Sequence, residues 1–99
     1  MFRSKKDVDR HVKDIFIKLK NSEEKNLRCY NIAKLYYQVG EYESARKYVS
    51  DYLEIREKSP GAHKLLGQIL EALRQKEAAF TQYKTSLELE PKQDDLVLK

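Results

Sequence analysis

Few side chains in this 99-residue chain are equipped for covalent or metal chemistry. It has two histidines, His11 and His63, one cysteine, Cys29, and one adjacent acidic pair near its end, Asp94 and Asp95. A metal site needs three or four converging ligands, which two distant histidines and a single thiol do not supply. A nucleophile needs a base and an oxyanion site beside it, and no motif places either. The three glycines form no phosphate-cradling loop. Cys29 falls on an apolar helical stripe, where a thiol serves as inert packing. His63 falls in a large packing slot. Asp94 and Asp95 read as first-turn carboxylates favoured by a helix dipole. The expectation is therefore no catalytic residue, no cofactor and no metal.

Side chains that could hold a partner are more numerous. Leu27, Tyr30, Lys34 and Tyr37 recur at helical spacing, so they share a face. Gly61, Lys64, Gln68 and Glu71 stand at the same places 34 residues later. Tyrosines on such a face give contact area at low entropic cost. The candidate partner groove is therefore Tyr30, Asn31, Lys34, Tyr37, Lys64, Gln68 and Glu71. For Tyr30 and Tyr37 the alternative is plain packing against a neighbouring helix, and both readings stand. A second candidate is a basic surface of Arg3, Lys5, Lys6, Arg10, Lys13, Lys18 and Lys20. Residues 1–25 hold 8 basic and 5 acidic side chains, whereas residues 60–99 hold 6 of each. Such an end could meet RNA phosphates or an acidic protein. The interspersed Asp7, Asp9 and Asp14 dilute it, and a solvated helix face explains it equally well. Any RNA contact is expected to be weak and sequence-independent.

The elements that position these residues follow from composition and periodicity. With 40% hydrophobic and 36% charged residues, three Gly and two Pro, the chain is neither disordered nor a disulfide scaffold. It reads as all-α. No run approaches the ~18 apolar residues of a membrane helix, and no apolar segment follows the basic N-terminus as in a secretory signal. A lone cysteine fits a reducing compartment.

Shifting the chain by 34 residues superimposes its apolar positions: Ile32 on Leu66, Ala33 on Gly67, Tyr36 on Leu70, Val39 on Leu73, Ala45 on Ala79, Val49 on Tyr83 and Leu53 on Leu87. The small pairs Ala33/Gly67 and Ala45/Ala79 mark close helix approaches. Each period reads as two helices. Cys29, Ile32, Ala33, Tyr36 and Val39 stripe the first, which Gly40 ends. Tyr42, Ala45, Val49, Tyr52 and Leu53 stripe the second. Ser59 and Pro60 then supply an N-cap and a first helical residue. Leu66, Gly67, Leu70 and Leu73 stripe the next helix, and Ala79, Tyr83, Ser86 and Leu87 its partner.

These residues resemble the tetratricopeptide repeat, W-x2-L-G-x2-Y, A-x3-F, P. The second period supplies His63, Leu66, Gly67, Leu70, Ala79, Tyr83 and Pro91. The first supplies Cys29, Ile32, Ala33, Tyr36, Ala45 and Val49, but has Glu57 where a Pro is expected, so its turn should differ. Cys29 and His63 fill the Trp slot. The expected fold is an all-α, tetratricopeptide-like α-solenoid of antiparallel helix hairpins. Its organisation is a capping helix over 4–20, repeat 1 over 23–57, repeat 2 over 60–90 and the start of a third over 91–99. Ser4 and Asp7 stand at capping-box spacing at the head of the capping helix, which carries Val8, Val12, Ile15, Phe16 and Leu19. The apolar end Leu96-Val97-Leu98 makes a poor cap, so the 99 residues are expected to belong to a longer chain. Asn31, Lys34 and Lys64 match part of a carboxylate clamp of chaperone-binding relatives. Leu27, Gly61 and Leu65 stand where clamp repeats carry polar or basic groups, which argues against a co-chaperone.

A closer resemblance rests on stretches partly outside the repeat slots: Arg3-Ser4-Lys5, Asp7-Val8-Asp9-Arg10, Ala33 to Tyr37, Glu41-Tyr42, Lys47-Tyr48, Ala62-His63, Ser86 to Leu89 and Asp95 to Lys99. In these the chain resembles the N-terminal region of the giant Ran-binding nucleoporins, as a distant relative of the vertebrate forms. The resemblance implies a non-catalytic anchoring module on the cytoplasmic face of the nuclear pore, with other nucleoporins as partners, in nucleocytoplasmic transport. Self-association is left open. The family's Ran-binding, zinc-finger, ligase and cyclophilin parts would lie beyond these residues.

Overall fold

The computed structural model describes residues 4–19 and 21–91, apart from the side chains of Ser22 and Glu23. Arg3, Lys20, Asp94, Asp95, the Leu96–Leu98 end and all of the expected third repeat beyond Pro91 lie outside the described residues. Five helices follow one another: α1 (Lys5–Lys18), α2 (Ser22–Gln38), α3 (Tyr42–Ile55), α4 (Pro60–Ala72) and α5 (Lys76–Leu89). No strand occurs among the described residues. The fold is an all-α stack of helix hairpins.

Local chemistry sets the helix ends. The Ser4 hydroxyl accepts the Asp7 N–H at 3.5 Å, and the Asn21 side-chain oxygen accepts the Glu24 N–H at 2.8 Å. The Ser59 hydroxyl accepts the Ala62 N–H at 3.2 Å, with Pro60 at the first helical position. Each cap satisfies an N–H that has no partner within its helix. At the end of α2, Gly40 adopts a left-handed φ of 83°. There the Glu41 N–H reaches back to the Tyr36 carbonyl at 2.9 Å and the Gly40 N–H to that of Tyr37 at 3.1 Å. Thirty-four residues later α4 ends in the same way. Arg74 has φ 67°, and the Gln75 N–H donates to the Leu70 carbonyl at 2.8 Å. The repeat thus extends to the backbone torsions, even where Arg stands for Gly.

Short turns fold α2 onto α3 and α4 onto α5; α3 packs on α4, and α1 lies against α2. The stack measures 43 × 26 × 20 Å. One core cluster joins α1 to α4, from Val8 and Val12 through Ile32, Ala33, Tyr36, Ala45 and Val49 to Ala62, Leu65 and Ile69. Ala33, Ala45 and Ala79 are buried, as close approach of the helices requires. On α4 the buried set is wider than the expected stripe. Ala62, Leu65 and Ile69 are buried with Gly67 and Leu70, while Leu66 is only partly covered. This helix packs against α2, α3 and α5 at once, so one apolar face cannot serve it.

Two of the departures from the repeat pattern, His63 and Glu57, meet each other. The Nε2–H of His63 donates to the Glu57 carbonyl at 2.7 Å, and Nδ1 lies 2.7 Å from the Gln82 side-chain oxygen. His63, standing in the Trp slot, ties the turn at Glu57 that lacks its Pro. From α5, the fully buried Ser86 hydroxyl donates to the Pro60 carbonyl at 2.8 Å, which ties α5 to the head of α4.

Candidate protein-binding site

The helices that open each repeat, α2 and α4, border a hollow of about 420 Å³. Tyr30 and Lys34 line it from α2, and Lys64 and Gln68 from α4. Four of the seven groove candidates therefore share one site. Leu65 also lines it but is only 5% exposed, so this residue belongs to the core as well as to the clamp slot it was compared with. Glu90, just past α5, lines the hollow too. Sequence reasoning passed over it, because a residue beyond its helix falls on no periodic stripe.

Gly61 explains the posture of Tyr30. A Cβ on Gly61 would lie 2.8 Å from the Tyr30 hydroxyl oxygen, so a larger residue there would make the phenol shift from its place across the head of α4. The Tyr30 ring meets Tyr52 edge-on, with centroids 5.2 Å apart and planes at 88°. Lys34 Nζ lies 4.9 Å from the same ring's centroid. Burial, with the Tyr52 hydroxyl as a smaller cause, pushes the Tyr30 phenol above its ordinary range. Tyr30 therefore packs on the next repeat and lines the hollow together. The result is a lining with two ammonium groups, one amide and the single carboxylate of Glu90 around Gly61 and Leu65, in which cations outnumber anions as a segment carrying carboxylates would require.

The other three candidates stand elsewhere. Asn31 is exposed and does not line the hollow. The Tyr37 ring leans on Tyr42, with centroids 5.6 Å apart. Glu71 accepts the Tyr83 hydroxyl at 2.6 Å; burial first, and then this hydrogen bond, raises the Tyr83 phenol above its usual range.

Within the candidate basic surface, Lys5, Lys6, Arg10, Lys13 and Lys18 are exposed on α1. Lys5 pairs with Asp9 at 3.3 Å, an exposed contact that adds little stability. Arg10 and Lys13 border a second, larger hollow of about 740 Å³, lined from α1, α2 and α3. Nothing in the helical spacing announces it, because it arises from the way α1 stands off α3.

Cys29 is buried, and its thiol donates to the Lys25 carbonyl at 3.3 Å. Burial pushes its pKa up to about 11, with Asp51 a lesser contributor, so the thiolate that would react is scarce. Among the described residues no group of three or more His, Cys, Asp or Glu side chains could hold a metal ion. No helix among them is long and apolar enough to cross a membrane.

Comparison with known proteins agrees with the geometry. The tetratricopeptide repeat model matches residues 28–59 and 62–93. Over all 99 residues the chain is 40% identical to human RANBP2-like and GRIP domain-containing protein 8 and 38% identical to human E3 SUMO-protein ligase RanBP2. Over 75 residues it is 49% identical to human RANBP2-like and GRIP domain-containing protein 2. The whole-chain matches bear out the resemblance to the Ran-binding family, although the chain spans only 3% to 6% of those proteins' lengths. Two matched repeats in a stack of hairpins make this chain a protein-interaction module, and it belongs to the tetratricopeptide-repeat family.

Proposed function

We propose that the chain anchors a longer protein on the cytoplasmic face of the nuclear pore, in support of nucleocytoplasmic transport, by holding other nucleoporins. The observation that carries this reading is the 38% to 40% identity to the Ran-binding proteins over all 99 residues of the chain. The hollow of Tyr30, Lys34, Lys64 and Gln68 is the contact we assign to a partner. Its two ammonium groups, against the one carboxylate of Glu90, favour a carboxylate-bearing segment, and the half-buried Tyr30 provides the large contact that anchors such an interface. The chain acts by holding, not by turnover. Any ligase activity of the parent protein would reside beyond these 99 residues.

The two competing readings fit less well. A chaperone-tail clamp needs Asn31 beside Lys34 and Lys64, and Asn31 stands outside the hollow. A phosphate-binding face needs undiluted cations, and Lys5 is already paired with Asp9. The test is the distribution of the chain, fused to a fluorescent protein, in cells. A signal at the nuclear rim that the Lys34→Glu/Lys64→Glu variant turns diffuse supports the proposal. A diffuse signal for both, or a rim signal unaffected by the double substitution, overturns it.

A further inference from the structure

The larger hollow, about 740 Å³, lies at the opposite end of the stack from Glu90 and shares no residue with the Tyr30 site. Val12, Phe16 and Ile17 face it from α1, Tyr36 from α2 and Tyr48 from α3. Ile17 lines it and is 80% exposed, although it is a large aliphatic side chain on a helix whose Val8 and Val12 are buried. A solvated Ile beside an aromatic-floored hollow is the kind of surface that partners cover.

Cations outnumber anions in the lining of the hollow. Arg10 and Lys13 line it. Lys25 Nζ lies 6.0 Å from the centroid of Phe16, and Lys47 Nζ lies 5.4 Å from that of Tyr48. The one carboxylate in the lining, Asp9, already accepts the Tyr36 hydroxyl and the Lys5 ammonium. Two cations thus line an apolar floor, two more stand over its Phe16 and Tyr48 rings, and its one lining carboxylate is already engaged.

The rings themselves decide between an acidic protein and a nucleic acid. Bases bind such surfaces by stacking on aromatic faces. Here Tyr36 and Tyr48 stack on each other, with centroids 5.3 Å apart and planes at 5°. Lys25 and Lys47 stand over the rings of Phe16 and Tyr48. The aliphatic Ile17 and the ring edges suit a side chain better than a base. We infer that the hollow between α1 and α3, with Ile17 and Phe16 beside Tyr48 and the cations Arg10 and Lys13 on its rim, is a docking site for an acidic protein segment that inserts one large apolar side chain. This site is separate from the Tyr30 hollow and does not depend on attachment to the pore.

The test uses a capped, fluorescein-labelled peptide of Asp, Glu and Ala around a single Trp, titrated into the chain. Fluorescence anisotropy reports affinity, and NMR shifts of the Ile17 methyls and the Tyr48 ring report location. Three competitors are run beside it: the peptide with Trp replaced by Ala, the peptide with Lys for every acidic residue, and oligouridylate. The variant Ile17→Asp removes the apolar edge and adds a like charge without touching the core, and circular dichroism verifies its fold. The expected result is saturable binding with shifts at Ile17 and Tyr48, weakened about tenfold or more by Ile17→Asp and by loss of the Trp. Equal affinity for the Lys peptide, shifts at Tyr30 and Gly61 instead, binding indifferent to Ile17→Asp, or no binding at all would overturn the inference. Displacement of the peptide from Ile17 by oligouridylate at lower concentration than by unlabelled peptide would assign the hollow to RNA and equally overturn it.

Discussion

Gly67 on α4 faces the ring of Tyr83 on α5 so closely that a Cβ on Gly67 would lie 2.6 Å from Tyr83 Cε1 and 2.7 Å from Cδ1. The Tyr83 hydroxyl donates to Glu71 at 2.6 Å, so a retreat of the ring would also disturb that hydrogen bond. The small residue and the large one are therefore a single packing decision, and they fix how near α4 and α5 can come. Gly67→Ala should lower stability by ~1–3 kcal/mol from overpacking, partly offset by the better helix propensity of Ala. Thermal unfolding followed by circular dichroism reads this directly. A variant as stable as the parent would mean that the two helices are not in this register.

The shared backbone conformation of Gly40 and Arg74 supports a paired prediction. Both have φ in the left-handed region, at 83° and 67°, and both follow the first helix of a repeat. No neighbour lies within 4 Å of a Cβ built at Gly40, so a substitution there meets torsional strain and no clash. Gly40→Ala should cost ~1 kcal/mol, and Arg74→Gly should gain up to ~1 kcal/mol, since L-residues pay about that much in this region. Opposite shifts in unfolding midpoint are the expected outcome. Shifts of the same sign would contradict the equivalence of the two turns.

Much of this was legible because helix stacking forces apolar and small residues into a fixed period. Ile32, Ala33, Tyr36, Ala45 and Val49 all fall on the core that their spacing implies. The wider buried set of α4 was not legible. Leu65 and Ile69 are covered by neighbours on several sides, and a stripe rule sees one side only. Nor could spacing decide between groove and packing for Tyr30, since a long amphipathic ring does both when Gly61 makes room. The hollow beside Ile17 depends on the angle at which α1 leaves the stack, and no residue pattern encodes that by itself.

Attachment of α1 should depend on pH. Tyr36 on α2 donates to the Asp9 carboxylate on α1 at 2.5 Å. That hydrogen bond, and next the Lys5 ammonium, hold the Asp9 carboxyl below its ordinary 3.8. A carboxyl with a depressed pKa in the folded state favours folding while ionised. Its contribution is full above about pH 4 and is lost as pH falls through the lower folded value. The parent chain should therefore lose unfolding midpoint on acidification below about pH 4 faster than Tyr36→Phe, which lacks the donor. The thermal midpoints of the two proteins across that range check this. Parallel curves would show that the Asp9–Tyr36 bond does not link α1 to the stack.

The claim that the repeat helices present a partner surface is most directly tested by photocrosslinking from within it. A benzoylphenylalanine placed at Gln68, on the wall of the hollow shared with Tyr30 and Lys34, captures whatever occupies that space. The same probe at Thr81, exposed on α5 and not lining the hollow, serves as the comparison. With intact nuclear envelopes, the expected result is covalent capture of pore proteins from position 68 and not from position 81, reduced by Lys34→Glu/Lys64→Glu. Equal capture from both positions, or none from position 68, would contradict a partner surface between α2 and α4.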